Sequence, residues 1–378
     1  MAADSFTEVT SNSWFSRIAA SFKGIIAGIV LIILSIVLMS WNEGRAVKHY
    51  KTLKEGAGAV VSVESTSVDS SKDGKLVHTT GFASSSDQPT DATFGISTEA
   101  LKLIRSVEMY QWKENQDKET KKKLGGGTET VTTYSYVKEW CEQHNNSANF
   151  KKTAEHTNPT EFRIKGTTFT AKPVTVGAYT LASSQVSQIG NAQPFTLPSG
   201  YKAPNQIKDA TANSSTIYIG TTPNTPSIGD LRISFKEVPE QDISLVAAQI
   251  GSSFEPYLTE VGGSINLLQS GTFSADAMFQ TAQDSNKTLT WILRGVGLLL
   301  MFIGFYLLMG PLSVLADVVP FIGNIVGAGT AIVALMLTAV GGLITIAVAW
   351  IVFRPVLAIS LLVVSAAVIY GIVKKAMN

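Results

Sequence analysis

The sequence predicts an α+β membrane protein, with four transmembrane helices (one N-terminal, three C-terminal) and a large β-rich extramembrane domain. Three observations carry this. Only 16% of the 378 residues are charged and 45% are hydrophobic, where soluble domains usually carry roughly 25% charge. The apolar excess is concentrated: no charge interrupts residues 24–39, and from Trp291 to Val373 only Arg294, Asp317 and Arg354 do. Between these blocks the texture changes to short alternating segments separated by Gly, Pro, Ser and Asn, the pattern of strands and turns.

A helix of about 20 apolar residues spans the hydrocarbon core, which divides the chain as follows. Residues 1–21 are Ser/Thr-rich, have too little apolar surface to fold alone, and are expected as a cytoplasmic tail. The first span is 22–40, an uncleaved anchor, because Ser40-Trp41-Asn42-Glu43-Gly44 lacks a small-x-small cleavage pattern. A lumenal or extracytoplasmic β-rich domain takes 41–290. The second span is 291–310. Residues 311–324, interrupted by Pro320, are expected to lie in the interface with Asp317 at their exposed edge. The third span is 325–353, the turn 354–355, the fourth span 356–373 and a second cytoplasmic tail 374–378. Turning at Gly341-Gly342 instead would leave Arg354 in mid-bilayer, at about 3 kcal/mol. Four spans place both termini on one side and 41–290 on the other. Arg17, Lys23, Lys374 and Lys375 favour cytoplasmic termini, against Arg45, Lys48, Lys51 and Lys54 beyond the first span.

Within the domain, 101–112 and 131–140 are the clearest strands, and the Lys/Gly-rich piece between them loops back to make a long two-stranded arm. Other strands are expected at 59–68, 75–83, 161–171, 228–238 and 264–270. The Pro-rich stretch 193–226 reads as a loop or insertion. Residues 276–286 read as a short helix leading to the membrane, capped by Ser274.

Catalytic chemistry is not announced. His49, His78, His144 and His156 fall in no ligand spacing, no GxSxG elbow is present, and Cys141 is the only cysteine, so no enzyme activity, metal or cofactor is expected. A net charge of +1, with Lys121–Lys123 as the only tight basic run, gives no case for nucleic acid.

Three residue sets are candidate interaction sites. Tyr110, Trp112, Tyr134, Tyr136 and Trp140 alternate on the arm, either as cross-strand packing or as a platform for a partner. Gly24 with Gly28, and Gly323, Gly327 and Ala331, form small-residue rows for close helix packing, within one chain or in a homo-oligomer. Arg294 and Arg354, on the domain-facing side of the bilayer, either grip a lipid headgroup or simply snorkel.

The order of several short segments resembles the transmembrane protein 43 family, also called LUMA. They are Asn42-Glu43-Gly44-Arg45-Ala46, the run from Val107 to Trp112, Tyr134-Ser135-Tyr136 with Glu139-Trp140, and Asn149-Phe150. His156 with Asn158-Pro159, the run from Gly229 to Phe235, Phe273-Ser274-Ala275 and Arg354-Pro355 complete the set. The resemblance implies one N-terminal and three C-terminal spans around a large lumenal domain. It also implies self-association, residence in the endoplasmic reticulum and inner nuclear membrane of animal cells, and contact there with emerin and lamins. A bacterial member would sit in the cytoplasmic membrane without nuclear partners. The expected function is a non-enzymatic membrane scaffold organising membrane proteins and lipids. A channel or transporter component and a membrane-tethered hydrolase are the alternatives.

Overall fold

The computed structural model describes residues 4–356 and 358–360. Its principal elements are β1 (Ser5–Asn12), α1 (Trp14–Ala59), β2 (Leu76–Ser84), β3 (Lys102–Lys122), β4 (Thr128–Cys141), β5 (Thr167–Thr170), β6 (Thr216–Ile219), β7 (Leu231–Val238), β8 (Gln241–Ile250), β9 (Leu267–Ser270), α2 (Ala275–Leu308), α3 (Gly310–Ala316) and α4 (Pro320–Phe353). The chain divides into two compact units. One comprises Met1–Thr7, Glu55–Asp117 and Thr133–Phe279, and the other Glu8–Lys54, Lys118–Thr132 and Gln280–Asn378.

The first unit is β-rich, as the alternating texture predicts. One sheet runs in the order β1-β4-β3-β7-β6, with β5 also on β3. Along β3 every second residue from Leu103 to Met109 is buried, and the antiparallel register sets Val107 opposite Ile233 and Met109 opposite Leu231. A period of two puts these side chains on one face, where they pack with Phe94 and Ile217. In the second sheet β8 lies between β2 and β9. Seven consecutive residues of β8, Ile243–Gln249, are buried, so this strand is covered on both faces. Leu245, Val77, Tyr179 and Phe254 share its core.

The predicted arm is present. Lys123 N–H donates to the Gly127 carbonyl at 2.8 Å, and Gly125 and Gly126 turn the chain with φ of 86° and 79°, values that favour glycine. So short a connection makes β3 and β4 antiparallel. Their register holds along the arm: Thr120 meets Thr130, Gln116 meets Tyr134, and Tyr110 meets Trp140.

Several boundaries differ from those expected. The 1–21 tail is not unstructured: β1 pairs with β4, and Tyr136 N–H donates to the Asp4 carbonyl at 3.0 Å. The first helix is not 22–40 but 46 residues long, because nothing after Trp41 breaks it until Val60. The strand expected at 59–68 shrinks accordingly to Val61–Ser62, and that expected at 161–171 to β5. The Pro-rich stretch holds β6, whose partner is β7 and whose four residues were too few to declare themselves. The short helix at 276–286 is the first part of the continuous α2, and Ser274 Oγ caps it by accepting from Ala277 N–H at 3.3 Å.

The second unit is helical. Among the described residues, α1, α2 and α4 are long and apolar enough to cross a membrane, one N-terminal and two C-terminal, where four spans were expected. The expected fourth span, 356–373, lies outside the described residues apart from Val356 and residues 358–360, which are helical. The outward faces of α1 and α4 are apolar, with Ile26 at 67% and Leu343 at 70% exposure. Residues 311–324 are not one interfacial loop: α3 occupies most of the first half, and α4 starts at Pro320, a first-turn position that needs no N–H.

The expected separation of 41–290 from the tail and the 311–324 segment does not extend to the arm's tip. Lys118–Thr132 belongs to the helical unit, where Lys122 Nζ lies 2.6 Å from Asp317 Oδ1 and 3.0 Å from Asn324 Oδ1. Arg17 bonds both the Gly126 carbonyl and Asp317. Asp317 is thus 1% exposed instead of marking an edge, because two cations replace its water.

Candidate functional site

A cluster of polar side chains joins the three long helices. On α2, Asn286, Thr290 and Arg294 recur every four residues and so line one stripe. On α1, Asn42, Glu43, Arg45 and Ala46 supply the facing groups. Asn42 Nδ2 donates to the Thr290 carbonyl at 3.0 Å, and Asn286 Nδ2 to the Ala46 carbonyl at 3.0 Å. Arg45 donates to Asn286 Oδ1 at 3.1 Å and Thr290 Oγ1 at 3.0 Å.

Glu43 is the centre of the cluster. Its side chain is fully buried, Oε1 accepts from Arg294 Nε at 2.7 Å, and Oε2 accepts from the α4 indole Trp350 Nε1 at 2.9 Å. A carboxylate in so dry a place requires a counter-charge and hydrogen bonds to both oxygens, and it has them. This arrangement ties helices together. No group of three metal-binding side chains occurs among the described residues.

The two arginines singled out by the sequence have different surroundings. Arg294 is engaged by Glu43 and stacks over Trp291, its guanidinium carbon 4.6 Å from the ring centroid. Arg354 caps α4, lies 6.0 Å from the Trp350 ring, and its buried Nε has no hydrogen-bond partner among the described residues.

Of the small residues, Gly28 lets α1 and α2 approach closely: a Cβ there would stand 2.6 Å from the Gly304 carbonyl of α2. Gly24 faces Leu307 at 3.9 Å. Gly323 and Gly327 instead accommodate Asp317, just beyond α3, and Ser313, within it, while Ala331 lines an apolar groove with Leu298 and Leu335.

The aromatic set is engaged in packing within the first unit. Tyr136 stacks on His156 at 3.7 Å, Trp112 meets the same ring edge-on at 4.6 Å, and Tyr134 stacks with Phe6 at 6.2 Å. Tyr110 contacts Trp140, over which Arg232 lies at 4.8 Å. Burial, then the Glu114 carboxylate that accepts its hydroxyl, pushes the Tyr136 phenol up to about 12. His156 Nδ1 faces the Lys152 carbonyl at 2.9 Å and Nε2 faces Asp4 Oδ2 at 2.7 Å.

Sequence reasoning gave Glu43 no role. The available signal was a lone acid four residues beyond an uncharged span, in a stretch with no helix breaker.

Apolar helices fastened by a buried ion pair, together with a sheet domain, define an integral membrane protein of mixed α and β build. The chain belongs to the transmembrane protein 43 family: the family pattern Transmembrane protein 43 matches residues 109–355. Rat Transmembrane protein 43 is 32% identical over 362 residues, covering 92% of this chain and 90% of the rat protein. The human protein is 31% identical over 357 residues, covering 92% and 88%. The Drosophila melanogaster homolog is 29% identical over 355 residues, covering 90% and 91%. No solved structure matches.

Proposed function

We propose that the protein is a non-enzymatic membrane scaffold, its helical unit a fixed platform for other membrane proteins and lipids. The observation that carries this is how the bundle spends its polarity. Ser35, Thr330, Thr338 and Thr345 return their hydroxyls to carbonyls of their own helices at 2.7–2.8 Å, and Glu43 and Arg294 neutralise each other. Permeation needs polar groups facing a shared cavity, and these groups are turned away from that use. In an animal cell the platform would sit in the endoplasmic reticulum and inner nuclear membrane, with emerin and lamins as neighbours, and in a bacterium in the cytoplasmic membrane.

Cross-linking mass spectrometry on intact membranes, paired with flux assays on proteoliposomes, tests this reading. A reproducible set of membrane-protein neighbours without ion flux is expected. Protein-dependent flux would favour a channel component instead.

A further inference from the structure

We infer that the groove beside Arg354 is a binding site for the headgroup of an anionic phospholipid. The inference rests on the chain being a membrane protein, and it assigns the lipid contact to Arg354 with Lys51 and Lys54, where the sequence alone paired Arg354 with Arg294.

The groove has a volume of about 740 Å3, and Tyr50, Lys51, Lys54, Phe353 and Arg354 are among its lining residues. Its charge is of one sign. No carboxylate is among the described lining residues, and no hydrogen bond or ion pair of the Lys51, Lys54 or Arg354 side chains to an acid occurs among the described residues. Arg294, by contrast, already holds Glu43. Three cations converging without an anion repel one another, and the buried Arg354 Nε gives up its water without gaining an acceptor among the described residues. A phosphate diester corrects both: it accepts from the guanidinium in a planar, two-point contact and neutralises the ammonium groups.

The depth fits a headgroup. A Cβ on Gly44 would stand 2.8 Å from the Phe353 ring, so the end of α4 is level with Gly44 of α1. That is five residues beyond Met39, or about 7 Å along a helix. The headgroup layer begins where the hydrocarbon core of about 30 Å ends and is about 5–7 Å deep on each side. Lys51 and Lys54 follow two to three turns further out, on stems long enough to reach back. The apolar lining, Val47 and Phe353, suits the first carbons of an acyl chain.

The test uses the full chain in nanodiscs of equimolar phosphatidylcholine and phosphatidylglycerol, with lipid co-purified after detergent extraction counted by mass spectrometry. The wild type should retain phosphatidylglycerol several-fold over phosphatidylcholine. Lys51→Gln/Lys54→Gln and Arg354→Gln should each reduce that preference at least two-fold, Arg354→Lys less, and excess inorganic phosphate should not abolish it. Lys51 and Lys54 are exposed, so their double variant stays informative if Arg354→Gln fails to fold. An unchanged lipid ratio in the lysine double variant and in Arg354→Gln would overturn the proposal, as would displacement by free phosphate. Loss of membrane integration in the wild type would instead overturn the membrane reading beneath it.

Discussion

Glu43 and Arg294 meet at 2.7 Å in a place where Glu43 has no exposure, so the first charge on α1 after the uncharged span is neutralised by a residue 251 positions away. A buried pair is costly to break from one side, because the remaining charge is stranded. Arg294→Leu should therefore destabilise the detergent-solubilised protein by about 3–5 kcal/mol. Glu43→Leu/Arg294→Leu should cost less than the sum of the single changes, as a double-mutant cycle of thermal unfolding would show.

Gly28 gives a packing prediction. With the Gly304 carbonyl 2.6 Å from where its Cβ would stand, Gly28→Leu should force α1 and α2 apart and cost about 1–3 kcal/mol. Gly295, with nothing within 4 Å, should accept the same change with little loss. Thermal unfolding of the two variants side by side checks this.

The Asp317 knot, between α3 and α4, should be sensitive to acid. Burial raises its carboxyl, but hydrogen bonds from Lys122 and Arg17 outweigh burial and hold it below the usual carboxylate value of 3.8. A carboxyl lowered in the folded state contributes stability that is fully present above its unfolded value and is lost as pH falls through the folded one. Asp317→Asn should lower the melting temperature at neutral pH by several degrees, and the difference from wild type should vanish as pH drops below the carboxylate range.

The N-terminal strand should depend on His156. Asp4 Oδ2 at 2.7 Å is the side-chain anchor at the start of β1, and terminal strands fray unless tied down. Asp4→Ala should accelerate amide hydrogen exchange in β1 while leaving β7 protected, which hydrogen-exchange mass spectrometry can read peptide by peptide.

The spans and the arm were legible because each has a strong period or an uninterrupted run: the uncharged stretch 24–39, and the alternation from Leu103 to Met109. The Arg354 break was legible because a charge and a proline coincide there, and the chain does break: Arg354 leaves helical geometry at φ −137° and Ala358 resumes bonding to its carbonyl at 3.0 Å. What escaped depends on partners distant in sequence. Thr216–Ile219 is a strand because Leu231–Val238 lies on one side of it and Ala210–Ala212 on the other. Asp317 looks like an exposed acid until Arg17 and Lys122, 300 and 195 positions away, are brought to it. The helical continuation from Trp41 to Ala59 escaped for another reason: polar residues beyond a span look like the start of a domain, although none of them breaks a helix.

In this structure α1 and α2 pack against each other as one membrane bundle within a single chain. Gly24→Cys with Leu307→Cys, in a Cys141→Ser background, tests this packing, since the Gly24 Cβ position stands 3.9 Å from Leu307 Cδ2, within reach of a short thiol-to-thiol cross-linker. Cross-linking in native membranes should give an intramolecular product, seen as a mobility change at monomer mass. A dimer-mass product alone, or no cross-link at all, would contradict the bundle.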